Sequence, residues 1–280
     1  MHQRRTRNTS LNHINGFVVA SLFAVLTVTS AMGQVARDTL DVLFVGNSYI
    51  YFNNLPALVE GMSEALDGPY IRGAAHTRGG ATLQEHLDDG DLSDLLAPGP
   101  NGEPAWDWVF IQEQSTLGTA YNRETGVLGS PAAFYVAASE LVARIRAAAA
   151  QPGLYMTWAK EPFPEHTEIL SDAYRALGTA LDVPVAAVGE AWAEVRRLQP
   201  TLRLYTPDGS HPNATGSYLA AAVIYATITG QSPLGAPRKL TGAPWNNSRV
   251  LTSSQPTVLV SLTATDAEFL QRIAWQVVSQ

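Results

Sequence analysis

The sequence predicts an α/β domain built on a mainly parallel five-stranded sheet with helices on both faces. Short unbroken apolar runs alternate along the chain with stretches of helical length. That is the pattern of strands buried on both faces and joined by helical crossovers. Hydrophobic residues make up 46% of the 280 residues and charged residues 15%. This is enough apolar material for a sizeable core and too little charge for an intrinsically disordered chain. There is no cysteine, which excludes disulfide scaffolds, Cys-ligated zinc, iron–sulfur clusters and thiol nucleophiles and leaves packing to hold the fold.

The elements follow in order. Val42-Leu-Phe-Val45 reads as the first buried strand, closed by Gly46-Asn47. Residues 55–66 read as a helix with Leu55, Leu58, Val59 and Met62 on one face, Asn54 as N-cap and Pro56 in the first turn. Residues 70–75 form a weaker strand and residues 108–111 a strong one. An Ala-rich helix is expected over 131–150, a strand over 154–158, a helix over 165–181 and the fifth strand over 183–188. Helices over 213–229 and 264–278 complete the domain, the last entered from Thr263 or Thr265. Residues 87–104 and 230–257 are rich in Gly, Pro, Asp and Asn and read as surface loops, the first with a short helix at 92–96.

The N-terminus reads as a segment outside the fold. Arg4, Arg5 and Arg7 precede an apolar run from Phe17 to Val28, and Ala31 and Gly33 stand at −3 and −1 of a cut before Gln34. This is the order of a secretory signal peptide, and the run is shorter than the roughly 20 residues a bilayer-crossing helix needs. The expected organisation is a signal peptide over 1–33 and a single domain over 34–280, exported to the periplasm or secreted, with no membrane span in the mature chain. The 18 Lys and Arg against 25 Asp and Glu give a net charge of −7, which leaves no basic footprint for nucleic acid.

Open parallel sheets bind ligands at the carboxyl ends of their strands, so polar residues just after a strand carry the search. Four places stand out. Ser48 follows the first strand in the turn Gly46-Asn47-Ser48, where it is a nucleophile if a base is near. Asp208 and His211 lie three apart in Asp-Gly-Ser-His-Pro ahead of a helix. That spacing lets the carboxylate fix one imidazole nitrogen while the other points outward. Gly79-Gly80 frees a backbone N–H, and Gln112-Glu-Gln114-Ser115 brings amides to the end of a strong strand; both suit a developing oxyanion.

Together the four resemble the SGNH (GDSL-like) hydrolases. Gly-Asn-Ser48 resembles block I with Asn47 in place of the usual Asp, Gly80 matches the block II glycine, Gln112-Glu-Gln-Ser115 falls at block III, and Asp208-x-x-His211 matches block V. The usual Gly-x-Asn of block III is absent, and a glutamine stands there as in sialate O-acetylesterase-like members. The resemblance implies a flavodoxin-like three-layer α/β/α sandwich and a serine esterase. It implies Ser48 as nucleophile, His211 as base and Asp208 as its orienting acid, with Ser48 N–H, Gly80 N–H and a block III side chain as oxyanion donors. Analogy favours Gln112 for the last, although Gln112 and Gln114 project to the same side of an extended strand. Export and the block III likeness point to an acyl group, acetyl foremost, on a carbohydrate. A short-chain lipid or xenobiotic ester, transacylation, and a non-catalytic carbohydrate-binding protein are the alternatives.

No cofactor and no metal is expected. His76 and His86 lie near Gly80 without a third ligand at metal spacing, and Asp89, Asp91 and Asp94 lack the spacing of a calcium loop. His166 reads as a surface residue. Trp158 reads as packing rather than as a wall of the site. Glu113 and Glu190 suggest a glycosidase carboxylate pair, but nothing in the sequence brings them together, and the serine reading explains more residues.

Overall fold

The structure is a computed structural model that describes residues 38–99, 101–118, 128, 130–245 and 255–280. The expected signal peptide over 1–33 lies outside the described residues. In chain order the elements are β1 (Thr39–Gly46), α1 (Ser48–Tyr51), a 3-10 turn (Phe52–Asn54), α2 (Leu55–Ala65), β2 (Tyr70–Thr77), α3 (Leu83–Leu87), α4 (Gly90–Leu95), β3 (Trp108–Ile111) and α5 (Ala132–Ala147). They continue with β4 (Gln151–Tyr155), α6 (His166–Leu181), β5 (Val185–Ala186), α7 (Val188–Leu198), α8 (Ala214–Thr229), β6 (Lys239–Gly242), β7 (Thr257–Ser261) and α9 (Ala264–Val278).

Strands β1 to β5 form one sheet in the order β2-β1-β3-β4-β5, with every pairing parallel. Alternation along the strands divides the core between the two faces. Val42 and Phe44 of β1 join Phe110 of β3 and Tyr155 of β4 in one cluster, with Met62, Trp192, Tyr218 and Leu270 from α2, α7, α8 and α9. Leu43 and Val45 join Val109 and Ile111 in the other, with Leu141 and Leu177 from α5 and α6. The result is the expected three-layer α/β/α sandwich. No helix among the described residues is long and apolar enough to cross a membrane.

Helix starts follow local chemistry. The Asn54 side chain accepts from Ala57 N–H at the head of α2, Asn213 from Gly216 N–H at the head of α8, and Thr263 from Asp266 N–H at the head of α9. Three expectations are corrected. The fourth strand starts at Gln151 rather than at 154: a Cβ on Gly153 would stand 2.5 Å from the Phe110 ring, so this glycine makes room for an aromatic on the neighbouring strand instead of breaking its own. The fifth strand is only Val185–Ala186, because α7 begins at Val188 with no loop between them. The region read as a loop over 230–257 contributes β6, which pairs antiparallel with β7.

Candidate active site

Strand β1 lies at the point where the sheet order reverses, so its carboxyl end opens into the crevice between the helices of the two faces. Gly46 ends the strand. A Cβ there would come within 2.6 Å of Gln112 Oε1 and 2.7 Å of Ile50 Cδ1, so the turn closes only around glycine. Asn47 then caps the short helix α1: its backbone N–H donates to Gln112 Oε1 (3.1 Å), its Oδ1 accepts from Tyr49 N–H (3.2 Å), and its Nδ2 donates to Ala81 O (3.0 Å). Asparagine fits because one side chain must accept and donate together, and an acceptor-only carboxylate here could not serve Ala81 O.

The second half of the site is the hairpin-like turn before α8. Tyr205 and Pro212 pair across it, and Thr206 N–H donates to His211 O at 2.9 Å. Gly209 occupies the left-handed region at φ 67°. Asp208 Oδ1 accepts from Ser210 N–H (2.8 Å), His211 N–H (2.9 Å) and the Thr206 hydroxyl (2.8 Å), while Oδ2 accepts from His211 Nδ1 (2.5 Å). Burial draws the Asp208 pKa upward, but the hydrogen bonds from His211, Ser210 and Thr206 outweigh it and hold the carboxyl well below the usual carboxylate range. An ionised Asp208 can only accept, so the proton sits on His211 Nδ1 and the Nε2 lone pair faces the Ser48 hydroxyl 2.9 Å away. A hydroxyl on such an imidazole can give up its proton as its oxygen attacks.

Aromatic rings set this turn in place. Phe52 stacks on the His211 ring at 4.3 Å, and Tyr49 stacks on Trp158 at 4.4 Å, which stacks on Trp192 at 3.9 Å. Tyr49 Oη bonds Ser210 Oγ at 2.7 Å, and Trp158 Nε1 donates to Ser210 O at 3.0 Å. Asn53 Nδ2 donates to Pro212 O and Ser217 Oγ. Sequence reasoning missed Tyr49, Phe52 and Ser210. The aromatic run immediately after Ser48 was the available signal for the first two. Trp158 packs in the core, as expected. His166 does not stay on the surface: it is buried, with its ring 5.3 Å from that of Phe163.

A cavity of about 670 Å³ opens over this group, lined among others by Ser48, Tyr51, Gly80, Gln114, Phe163 and His211. Gly80 adopts φ 68°, and among the described residues neither its N–H nor that of Ser48 has a protein acceptor. The structure places the two candidate glutamines differently. Gln112 is fully buried, its Oε1 accepts from Asn47 N–H and its Nε2 donates to Glu113 O, so both ends of the amide hold the backbone. Gln114 is the glutamine that reaches the cavity. Its Oε1 is held by Thr116 N–H and Oγ, which leaves Nε2 without a protein acceptor among the described residues.

Glu113 and Glu190 make no catalytic pair. Burial draws the Glu190 pKa upward, but bonds from Arg175 and Ser171 outweigh this and lower it. Glu113 is buried and accepts from Leu83 N–H (3.2 Å) and Gln114 N–H (2.6 Å), bracing α3 against the segment that carries Gln114. Burial pushes its pKa up to about 7, against 4.5 for an ordinary glutamate. Between these values the folded chain holds a proton that the unfolded chain releases, so stability falls as pH rises through that window. Glu113→Gln keeps an acceptor and removes the cost, which is on the order of 3 kcal/mol above pH 7. Urea unfolding of both proteins at several pH values should show the curves diverging from pH 5 to 8; parallel curves would refute a buried, protonated Glu113.

The parallel sheet order, the two covering layers and a polar cluster at the end of β1 define a three-layer fold of the kind seen in SGNH hydrolases. Comparison with solved structures bears this out for the fold. A protein from Slackia heliotrinireducens assigned to the SGNH hydrolases is 27% identical, covers 68% of this chain and 100% of its own, and has a TM-score of 0.52. A DUF4886 family protein from Bacteroides uniformis is 17% identical over 86% of this chain and 95% of its own, with a TM-score of 0.63. A Geobacillus acetyl-xylooligosaccharide esterase is 16% identical over 72% of this chain and 99% of its own, with a TM-score of 0.54. No family model and no curated protein sequence matches the chain.

Proposed function

We propose that the chain is an exported serine hydrolase of carboxylic esters, acting on O-acyl groups, acetyl foremost, carried by a carbohydrate. The observation that carries the reading is the continuous hydrogen-bonded line from Ser48 Oγ through His211 to an ionised Asp208 at the carboxyl edge of the sheet. Ser48 Oγ attacks the acyl carbonyl carbon, and its proton passes to His211 Nε2. Asp208 stabilises the imidazolium that forms. Negative charge on the carbonyl oxygen meets the Ser48 and Gly80 N–H groups and Gln114 Nε2. His211 then gives its proton to the leaving alcohol oxygen. It next takes a proton from water as the water oxygen bonds the acyl carbon, and returns it to Ser48 Oγ as the acyl–Oγ bond breaks, which releases the acid and restores the serine. The chain's own groups supply every step. The acetyl-carbohydrate preference is supported by the block III glutamine and by the acetyl-xylooligosaccharide esterase of the same fold. Export rests on the arginine-led apolar segment over 1–33.

The test is turnover of p-nitrophenyl acetate and butyrate, and acetate release from acetylated xylo-oligosaccharides. Rates should be highest with acetyl and exceed those of Ser48→Ala; equal rates in the two proteins would overturn the reading. Removing the cavity-facing amide with Gln114→Ala should lower kcat by about 10²- to 10³-fold and leave the unfolding midpoint in place. Gln112→Ala strips the acceptor from the buried Asn47 N–H and should instead cost about 1–3 kcal/mol of stability. Steady-state rates and urea midpoints for both variants separate the roles. A fully stable Gln112→Ala protein that is a hundredfold slow would return the oxyanion role to Gln112.

A further inference from the structure

Behind the β1 turn lies a second polar cluster that the proposed reaction does not use. His76 near the end of β2, His86 in α3 and Asp89 at the head of α4 bring one donor atom each to within 4.8 Å of one another. Both histidines are buried, their ring centres are 5.2 Å apart, and the Asp89 side chain is 19% exposed. None of the three lines the cavity over Ser48.

The hydrogen bonds around the cluster orient it. His86 Nε2 lies 2.8 Å from Gly46 O, and a carbonyl only accepts, so Nε2 carries the proton and Nδ1 is a bare lone pair. That Nδ1 is fully buried with no hydrogen-bond partner among the described residues. A buried lone pair in that position is open to a ligand. Asp89 Oδ1 accepts from Asp91 N–H at 3.0 Å, which leaves Oδ2 facing His76. An imidazole bonded to a backbone carbonyl through its far nitrogen, and a carboxylate held by one oxygen, are the outer contacts that fix metal ligands. His76 Nε2 and Asp89 Oδ2 stand 3.3 Å apart, and two ligands at zinc distances of about 2.0–2.1 Å in a tetrahedron are separated by about 3.3–3.4 Å.

We propose that His76, His86 and Asp89 bind one Zn²⁺ ion, with solvent as the fourth ligand. Two nitrogens and one oxygen suit zinc and exclude calcium or magnesium, which take oxygen sets. The expectation that no third ligand accompanies the two histidines is thereby replaced: Asp89 supplies it, brought in by the turn between α3 and α4. The ion is structural. Residues 77–85, which carry Gly80, are bounded by a ligand on each side, and His86 ties the ion to the Gly46 carbonyl.

The test uses the untagged chain, stripped by chelator dialysis and titrated calorimetrically with ZnCl₂ while the thermal unfolding midpoint is followed. One Zn²⁺ per chain and a raised midpoint are expected. Asp89→Ser keeps a capping oxygen for α4 and should weaken binding by about 100-fold or more, beyond the 10- to 100-fold cost of losing an outer contact. His76→Gln should behave alike, and Co²⁺ in the wild-type protein should give the intense visible bands of tetrahedral coordination. Absence of uptake, or equal affinity in wild type and both variants, overturns the site. Ester hydrolysis by the stripped protein is a separate readout, so failure here leaves the proposed activity standing.

Discussion

Ser48→Ala is expected to lower kcat for p-nitrophenyl acetate by about 10⁶-fold, the scale of removing a triad nucleophile, with no loss of fold. The substitution removes one oxygen from a nearly buried side chain. It leaves the Ser48 N–H, the Asn47 cap and the Gly46 turn as they are. The cavity and its donors therefore persist, and what disappears is the bond-forming atom. A phosphonate ester should label wild type on Ser48 and leave the variant unmodified, which peptide mass spectrometry reads directly. A variant within tenfold of wild type, or labelled elsewhere with loss of activity, would remove Ser48 from the reaction.

Asp208→Asn should cost about 10⁴-fold in kcat while preserving the turn. The asparagine oxygen can still accept from Ser210 N–H, His211 N–H and the Thr206 hydroxyl, the three bonds that shape the loop. The new amide would donate to His211 Nδ1, so the ring proton moves to Nε2 and faces the Ser48 hydroxyl. The base is then present in the wrong tautomer. Steady-state kinetics with NMR of the imidazole nitrogens would check both halves; a fast variant with protonated Nε2 would break the link between tautomer and turnover. Asp208 also bears on acid stability in the wild type. Its folded pKa lies below the ordinary 3.8, so its contribution is present above that value and is lost as pH falls through the folded one.

Much of this was legible in the sequence, for identifiable reasons. Strand β3 matches its expected bounds because Trp108-Val-Phe-Ile111 is buried on both sides and flanked by polar residues. Ser48, Asp208 and His211 stood out as a candidate set because each sits in a turn whose local composition announces it, and the fold brings the three within hydrogen-bond reach. Helix α7 was hidden because Ala187 at its start offers no side-chain cap and the apolar run of β5 flows straight into it. The β6–β7 pairing joins segments too far apart in sequence to signal each other. The sequence could not separate the two glutamines for a geometric reason. Strand alternation applies only as far as Ile111, and beyond it Gln112 turns back to Asn47 while Gln114 turns to the cavity. Asp89 became a partner of His76 only once α3 and α4 folded back over the end of β2.

Asn47 also settles the electrical character of the turn. An amide does not titrate, so acidification leaves the cap that positions Ser48 unaltered, where a carboxylate cap would weaken as it took up a proton. It is also uncharged. In the proposed reaction the oxygen that gathers negative charge comes to rest beside the next residue's N–H, where a fixed anion at position 47 would oppose it in a poorly screened environment. The asparagine keeps the ground beneath the nucleophile neutral at every pH at which the fold survives.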